Sequence, residues 1–378
     1  MSPSSTSGSN APSGGWKRLR RLGLICLGLL LLLELVFRSP LAQPLQPYAD
    51  LLWYDVYLAT YTRDLRAGAH YDVWLSGSSY MMTGLDPSLV QATFAADGEP
   101  GLTVQNYGLN LMQNLEVMGE VYDRWLLKLD QPDYLVLAVA GGNFGIMPRE
   151  SQPIVSSTLE RMLIFPTSLE DHAARWLYQH SALVHYGILL RYVLDPRDVA
   201  ERGFFMNQEL PLGGFEDLDQ TYTPPNCDLS QIDAPADVEA RLARPDFANY
   251  QANLEIPLAE MESFIAVIQQ HGIPLALVIV PDQACEIGGR YGSYANYDAL
   301  LVEPVKARIQ AHGVPVLDLN PLFRITVPSA EQSNYYANHN HPNHQGAQLF
   351  SHWTGDFVAA WLQTEAGNQA AATSPPPG

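Results

Sequence analysis

The sequence predicts an α/β fold, a three-layer α/β/α sandwich around a parallel sheet. Two observations lead to this prediction. Short apolar runs of strand length alternate with longer amphipathic segments along most of the chain. One of these runs, Tyr134–Ala140, is apolar throughout and ends in Gly141-Gly142-Asn143, as expected for a central parallel strand that is buried on both faces.

Strand-like and helix-like segments follow one another in order. The predicted strands are Asp72–Leu75, Val104–Tyr107, Tyr134–Ala140, Pro274–Val280 and Val314–Leu317. One predicted helix begins near Asp86-Pro87-Ser88. Three more are predicted over Asn114–Leu129, Leu254–His271 and Tyr297–His312. This alternation is typical of a parallel sheet with helices on both faces.

The alternation stops between about residues 150 and 249. Residues 158–194 have a helical pattern, whereas residues 203–245 are rich in Pro, Gly, Asp and Asn and show no clear period. We therefore expect one domain over residues 50–364 with an insertion that lies over the carboxyl edge of the sheet, where substrate pockets form. Residues 365–378 include three consecutive prolines and are expected to be a disordered tail.

The charge of the chain is unevenly distributed. The 378 residues carry 21 Lys and Arg against 40 Asp and Glu, a net charge of −19. Four basic residues (Lys17, Arg18, Arg20 and Arg21) precede the first acidic residue, Glu34, so the rest of the chain holds 17 basic and 39 acidic residues, or 17 − 39 = −22. A body this acidic repels a phosphate backbone, which excludes nucleic acid as a partner.

The early basic cluster precedes an apolar run that we interpret as a membrane anchor. Residues 1–21 are expected to be a disordered, basic cytoplasmic tail, and residues 22–37 are apolar apart from Glu34. As a helix the run is about 24 Å long, somewhat shorter than the ~30 Å hydrocarbon core of a bilayer. A single-pass signal anchor would place the following domain on the extracytoplasmic side of the cell membrane. A cleaved signal peptide is the alternative, although Ser39-Pro40-Leu41-Ala42-Gln43 lacks a good small-x-small site.

The cysteines leave two alternatives open. Cys26 lies in the predicted anchor, so Cys227 and Cys285 remain in the body of the protein. They either form a disulfide in an oxidising compartment or are two free, buried thiols.

Small polar residues at the predicted strand ends are the candidate catalytic groups. Ser78 and Ser79 follow the first strand, Gly108 the second and Asn143 the third, and residues just past the carboxyl ends of parallel strands converge on one crevice. A histidine-rich segment, residues 338–347, follows the last strand, and a histidine there could act as general base for a serine. Each residue alone also fits a structural role, as a helix cap or turn residue.

In this order, the residues resemble the SGNH, or GDSL, hydrolase superfamily. Gly77-Ser78-Ser79 resembles its first block, with Ser79 in the nucleophile position and Ser78 in place of the usual Asp. Gly108 matches the glycine of the second block, Gly141-Gly142-Asn143 the third block, and residues 338–341 the final Asp-x-x-His block. The resemblance covers about residues 70–145 and 250–360 and does not explain the insertion between them.

The resemblance implies a serine esterase or acyltransferase with the flavodoxin-like α/β/α fold and with no metal or organic cofactor. Ser79 would attack an ester carbonyl, His341 would act as general base, and Asn338 would be the third triad member. The backbone N–H groups of Ser79 and Gly108 and the side-chain amide of Asn143 would form the oxyanion hole.

The predicted anchor and the motifs together are similar to membrane-tethered branches of this superfamily that acylate or deacylate envelope glycans and teichoic acids. The expected partners are therefore the membrane, an acylated glycan or small ester, and a membrane acyl-donor protein.

Two departures from these patterns keep alternatives open. Asn338 stands where the family has Asp, and an amide can orient an imidazole but does not stabilise the imidazolium by charge. A catalytically degenerate envelope protein that binds glycan or serves in assembly is the alternative. The Gly77–Met81 segment also lacks the second glycine of the G-x-S-x-G elbow of α/β-hydrolases.

The histidine-rich segment also has a metal-binding interpretation. His339-Asn340-His341-Pro342-Asn343-His344 resembles the H-x-H-x-[DN]-H zinc motif of metallo-β-lactamases, with Asn for Asp. That motif stands near the beginning of its domain and needs later ligands, whereas only His352 follows here. A polar loop in which His339 and His344 are solvated is the favoured interpretation.

Overall fold

The computed structural model describes residues 14–45, 61–62, 64–96, 101–109, 115–144, 169–184, 186, 218–222, 224 and 227–373. Its centre is a five-stranded, all-parallel sheet with the strand order β2-β1-β3-β4-β5. The strands are β1 (Val73–Gly77), β2 (Val104–Asn106), β3 (Tyr134–Val139), β4 (Leu275–Ile279) and β5 (Val316–Asp318). The predicted α/β class, the five strands and the central place of the most apolar strand are confirmed.

Helices lie between and beyond the strands. They are α1 (Gly14–Arg38), α2 (Ser79–Gly84), α3 (Pro87–Ala96), α4 (Leu115–Val121), α5 (Leu169–His180), α6 (Val238–Leu242), α7 (Tyr250–Gln270), α8 (Ala284–Tyr291), α9 (Tyr294–Tyr297), α10 (Glu303–Gln310), α11 (Asn320–Thr326) and α12 (His344–Thr373). π-Helical turns at Tyr122–Leu126 and Asp298–Val302 extend α4 and α9. The predicted helices correspond to α3, α4, α7 and the segment from α9 to α10.

The strands bury both of their faces because alternate side chains point to opposite sides of the sheet. On one side, Trp74 and Leu137 pack in a core with Phe264 of α7, and α7 contacts α4. On the other side, Leu75 and Val136 belong to a core completed by α3 and α12. Helices therefore cover both faces of the sheet, which explains why its central strands are apolar throughout.

The two ends of the chain differ from the prediction. Helix α1 begins at Gly14, so the basic residues of 17–21 are helical, and α12 continues to Thr373, beyond the predicted start of the tail at residue 365. Residues 14–21 and 365–373, for which the sequence predicts disorder, thus lie within α1 and α12 in the structure. Lys, Arg, Leu and Ala are good helix formers, which suits the outward extent of both helices. Residues 1–13 and 374–378 lie outside the described residues.

Helix α1 exposes most of its large apolar side chains, for example Leu24 at 60% and Leu35 at 66%. Its carboxyl-terminal part contacts the insertion, because Glu34 accepts hydrogen bonds from the backbone N–H groups of Ala182 (3.0 Å) and Leu183 (2.8 Å). In the parts of the chain that the structure describes, we find no helix that combines the length and the apolar character needed to cross a bilayer.

The insertion is described in part. Its predicted helical character is confirmed over Leu169–His180, and the other residues of 158–194 lie outside the description except for 181–184 and 186. Residues 218–222 run beside the histidine-rich segment: the N–H of His344 donates to the carbonyl of Leu218 (2.9 Å), and that of Tyr222 donates to Tyr336 (2.7 Å). This part of the insertion thus lies next to the candidate site.

A disulfide joins Cys227, near the end of the insertion, to Cys285 in α8, with 5.2 Å between the two Cα atoms. Of the two alternatives that the sequence left open, the structure has the disulfide and not the pair of free thiols. The end of the insertion is therefore tied covalently to the helix that follows β4.

Candidate active site

The candidate nucleophile, Ser79, lies at the carboxyl edge of the sheet. Strand β1 ends at Gly77 and α2 begins at Ser79. Gly77 has a φ of +154°, and a Cβ at this position would collide with the carbonyl oxygen of Ala138 in the neighbouring strand β3. Glycine is required because only a residue without a side chain allows this approach of the two backbones. The turn places Ser79 directly past the strand end, where ligands bind in α/β folds.

His341 reaches Ser79 from the far end of the sequence. The Nε2 atom of His341 lies 2.8 Å from the Oγ of Ser79, although 262 residues separate them. The histidine-rich segment is held by the residues that follow β4, because the Nε2 of Gln283 donates to the carbonyls of Asn338 (3.2 Å) and His339 (2.8 Å). The hydroxyl of Tyr336 donates to the carbonyl of Pro281 at 2.5 Å. The pairing of Ser79 and His341 thus depends on the parallel sheet.

Asn338 orients His341 through its side-chain amide. The Oδ1 of Asn338 lies 3.1 Å and its Nδ2 2.9 Å from the Nδ1 of His341. Oδ1 also accepts hydrogen bonds from the backbone N–H groups of Asn340 (3.0 Å) and His341 (2.9 Å), which hold the amide in place. An Oδ1 contact favours the tautomer with its proton on Nδ1, which leaves Nε2 free to accept the proton of Ser79. An Nδ2 contact favours the other tautomer, so an amide supports both the competent and the incompetent form.

The surroundings of His341 keep its ring neutral. Burial, and to a lesser degree the nearby His339, lowers the pKa of His341 to about 4. The ring of Tyr80 stacks on the imidazole at 5.5 Å between centroids, and the Nδ2 of Asn340 donates to the Tyr80 hydroxyl at 2.8 Å. Tyr80 and Asn340 are not among the candidate catalytic residues that the sequence predicts. Their positions beside Ser79 and His341 were the only sequence signal for them.

Asn143 lies in a short 3₁₀ turn directly after β3 and is buried. Its Oδ1 accepts a hydrogen bond from the backbone N–H of Ala140 at 2.9 Å. Because Oδ1 faces the backbone, the donor group of the amide points the other way, which suits an oxyanion donor.

Gly108 follows β2, and its backbone N–H donates to the Oδ1 of Asn106 at 2.9 Å. An oxyanion would share this donor with Asn106. The Nδ2 of Asn106 donates to the carbonyls of Met81 (3.0 Å) and Leu85 (2.9 Å), so one buried side chain ties the second strand end to helix α2. Asn106 is not among the candidate site residues that the sequence predicts. The oxyanion roles of Ser79, Gly108 and Asn143 remain predictions.

The two glycines before Asn143 make room for polar groups. A Cβ on Gly141 would overlap the carboxylate of Asp282, and a Cβ on Gly142 would overlap the hydroxyl of Tyr80. Asp282 accepts a hydrogen bond from the hydroxyl of Tyr297 at 3.1 Å, and burial raises the pKa of its carboxyl. Asp282 follows β4 at the same edge of the sheet, a signal that could have pointed to it in the sequence.

The histidine-rich segment does not have the geometry of a zinc motif. His339 and His344 are exposed. The Oδ1 of Asn343, at the position of the motif's aspartate, accepts hydrogen bonds from the N–H groups of Gln345 (3.1 Å) and Gly346 (3.2 Å) and so caps α12. Among the described residues, the structure gathers no group of three or more His, Cys, Asp or Glu side chains that could hold a metal ion.

Neither a scan against protein-family models nor a search of curated proteins finds a match for this chain. The structure brings Ser79, His341 and Asn338 together, and it places Gly108 and Asn143 after the two strands that flank β1.

Proposed function

We propose that this protein is a serine-dependent esterase or O-acyltransferase of the SGNH type that acts on O-acyl esters of an extracytoplasmic polysaccharide. The observation that carries the proposal is the 2.8 Å distance between Ser79 Oγ and His341 Nε2 at the carboxyl edge of the sheet. A hydroxyl beside a neutral imidazole is the arrangement by which serine is activated as a nucleophile.

In the first half of the reaction, Ser79 becomes acylated. Its Oγ attacks the ester carbonyl carbon while its proton passes to the Nε2 of His341. The carbonyl oxygen becomes an oxyanion, for which the amide of Asn143 and the backbone N–H groups of Ser79 and Gly108 are the proposed donors. The tetrahedral intermediate then expels the alkoxide, which takes the proton from His341 and leaves an acyl-Ser79 ester.

In the second half, an acceptor hydroxyl removes the acyl group. His341 takes the proton of the acceptor as its oxygen attacks the acyl-Ser79 carbonyl, and returns it to Ser79 Oγ as the enzyme is restored. Water as acceptor gives hydrolysis, and a sugar hydroxyl gives transfer. Exclusion of water favours transfer. Residues 218–222 of the insertion lie beside the histidine-rich segment, where they can contribute to this exclusion.

We also propose that α1 acts as a single-pass anchor, with Arg21 and Arg38 reaching the bilayer surface from the two ends of an apolar run that is shorter than a full span, and that the domain faces the extracytoplasmic side. The large exposed apolar side chains of α1 support the first part, and the Cys227–Cys285 disulfide supports an oxidising compartment. The full chain should resist extraction from membranes by alkaline carbonate and should be degraded by protease added from the extracytoplasmic side. Release by carbonate would contradict the anchor.

Labelling with a fluorophosphonate tests the catalytic serine. Such a probe phosphonylates an activated serine, so we expect it to modify the wild type at Ser79 and to leave the Ser79→Ala variant unlabelled. Ser88, which lies at the start of α3, provides a matched control: Ser88→Ala should be labelled like the wild type. Failure of the folded wild type to react would contradict the enzyme proposal.

Measurement of acyl release then separates the two reactions. The wild type is incubated with an acetylated donor ester with and without a deacetylated polysaccharide acceptor. A hydrolase releases acetate at the same rate in both cases, whereas a transferase places acetyl groups on the acceptor and releases less acetate.

A catalytically degenerate glycan-binding or assembly protein is the second candidate. Two observations favour it: the amide of Asn338 supports the incompetent tautomer of His341, and the Gly108 N–H is already bonded to Asn106. This candidate predicts glycan binding by the wild type without labelling of Ser79 and without acyl release.

A further inference from the structure

Tyr80 lies where three parts of the candidate site meet. It follows Ser79 in α2, and only 3% of its surface is exposed. Its ring stacks on the imidazole of His341, with 5.5 Å between the two ring centres and 23° between the two planes. Its hydroxyl lies so close to Gly142 that a Cβ there would overlap it. One buried side chain therefore contacts the segments that carry Ser79, His341 and Asn143.

The hydroxyl of Tyr80 ties this side chain to the histidine-rich segment. It accepts a hydrogen bond from the Nδ2 of Asn340 at 2.8 Å. The backbone N–H of Asn340 donates in turn to the Oδ1 of Asn338 at 3.0 Å, and the amide of Asn338 faces His341. Tyr80 is thus held at both ends, which fixes its ring against the imidazole.

The imidazole of His341 has uncharged hydrogen-bonding neighbours in the described part of the chain. Its Nδ1 faces the amide of Asn338, and its Nε2 faces the hydroxyl of Ser79. When the ring takes the proton of Ser79 it becomes an imidazolium, a cation in a partly buried place. Burial disfavours this cation, so an interaction that stabilises it lowers the barrier of the reaction.

The titratable groups that face the imidazole among the described residues carry no negative charge. Burial and, on the same segment, the charge of His339 lower the pKa of His341. From α2 the facing group is the phenol of Tyr80, which stays neutral because burial raises its pKa. The carboxylate of Asp282 and the guanidinium of Arg290 act on the hydroxyl of Tyr80. In the described chain, the negative potential that faces the imidazole is therefore that of the Tyr80 ring.

We propose that Tyr80 is a positioning residue of the reaction and that the face of its ring stabilises the imidazolium form of His341. The face of an aromatic ring carries negative partial charge and attracts a cation within about 6 Å of its centre. The 5.5 Å between the two ring centres satisfies this limit. The same stacking holds the plane of the imidazole, so that its Nε2 stays 2.8 Å from the Oγ of Ser79. The role in catalysis rests on the proposed function, whereas the effect of the ring on the imidazolium does not.

A ring that only excludes water would have the opposite electrostatic effect. Exclusion of water disfavours the imidazolium, so removal of such a ring would raise the pKa of His341 towards its usual value. Removal of a ring that attracts the imidazolium would lower this pKa further. The sign of the change in pKa therefore separates the two roles of Tyr80.

Titration of the histidines of the full-length protein by NMR measures this sign. The reference is Asn338→Asp, because a carboxylate at this position raises the pKa of His341 into a range that is less acidic for the folded protein. The signal of His341 is the one that His341→Ala removes. We expect the addition of Tyr80→Leu to lower the pKa of His341 by about 0.5 to 1, whereas Tyr80→Phe, which keeps the ring, should change it by less than about 0.2.

Tyr71→Leu is the matched control for the loss of a tyrosine ring. Tyr71 precedes β1 by two residues, at the amino edge of the sheet, and its ring centre lies 6.4 Å from that of Tyr107. This change should leave the pKa of His341 as it is. If Tyr80→Leu does not fold, Tyr80→Met takes its place, because its longer side chain fills more of the space of the ring.

Turnover of a small ester is a second readout, in proteins that keep Asn338. Tyr80→Leu should lower kcat about ten-fold and leave KM within about two-fold of the wild type, because the imidazolium forms only during the reaction. Tyr80→Phe should retain at least about a third of the wild-type kcat, because it keeps the ring face.

Two results would overturn the proposal. One is a pKa of His341 that rises or stays the same when Tyr80→Leu is added, and the other is an equal loss of kcat in Tyr80→Phe and Tyr80→Leu. A wild type without turnover, in a protein where Tyr80→Leu does lower the pKa of His341, would refute the proposed function and leave the effect of the ring standing. Turnover by the wild type with an unchanged pKa would refute the role of Tyr80 alone.

Discussion

His341 has a different kind of partner from two other histidines of this protein, His271 and His312. In the described part of the chain, the Nε2 of His271 lies 2.9 Å from the carboxylate of Asp123, and the Nε2 of His312 lies 3.0 Å from that of Glu262. The Nδ1 of His341 faces the amide of Asn338 instead. Carboxylates are abundant in this acidic chain, so the amide at the site does not reflect a shortage of acidic residues.

The difference shows what an amide partner does to a catalytic histidine. A carboxylate favours the imidazolium, whereas an amide leaves burial as the dominant effect, and the pKa of His341 falls to about 4. The imidazole is therefore in its basic form well below neutral pH. The disadvantage comes in the transition state, where the imidazolium forms without a neighbouring negative charge from position 338.

The largest expected effect comes from removal of the site histidine. His341→Ala should lower kcat/KM for a small ester by roughly 10⁴-fold or more, because the general base acts together with the nucleophile. The matched change at the surface, His271→Ala, should leave kcat/KM unchanged. A His341→Ala variant that retains a tenth of the wild-type activity would show that this histidine is not the base.

Removal of the proposed oxyanion donor should have the next largest effect. Asn143→Ala should lower kcat by about 10² to 10³, the usual loss for one such donor. Asn143→Asp separates the two functions of this side chain, since it keeps an acceptor for the Ala140 N–H but loses the amide donor. A folded Asn143→Asp variant with wild-type kcat would assign a purely structural role to Asn143.

A carboxylate at position 338 would give His341 the kind of partner that His271 and His312 have. Asn338→Asp should preserve kcat/KM or raise it about ten-fold at pH 8, because it removes the Nδ2 contact that favours the incompetent tautomer. In serine proteases, replacement of the triad Asp by Asn lowers kcat by about 10⁴-fold. A severe loss in a folded variant would mean that another group orients His341.

The pH profile provides an independent readout of the same change. A general base must be unprotonated, so wild-type kcat/KM should rise with pH through about 4, the pKa of His341, and then stay level to pH 7. In Asn338→Asp the new negative charge raises the pKa of His341, and the rise should move to higher pH. Superimposable profiles for the two proteins would contradict this electrostatic account.

The smallest expected effect is that of the His271–Asp123 pair on the stability of the fold. His271→Gln removes a partly exposed contact with Asp123, and we expect the free energy of unfolding to fall by less than about 1 kcal/mol. Chemical denaturation at pH 6 and at pH 8 measures it. A fall in the free energy of unfolding above about 2 kcal/mol would contradict this expectation, because it would mean that the pair with Asp123 contributes strongly to the stability of the fold.

Much of the fold was predictable because its signals are local. Apolar runs such as Tyr134–Ala140 specify strands by their own composition, and the alternation with helices specifies a parallel sheet. Helices α1 and α12 extend into residues for which composition suggests a tail, because good helix formers continue there.

The sequence by itself determined the sheet and the candidate residues Ser79, His341, Asn338 and Asn143, since each follows a strand or belongs to a short motif. Only the tertiary structure decided which atoms meet. The contact between His341 and Ser79, the bonds from Asn106 to Met81 and Leu85, and the bonds from Gln283 to the histidine-rich segment all depend on distances between remote segments. The physical reason is that local propensity acts over a few residues, whereas these contacts form only when the packed sheet brings distant strand ends to one edge.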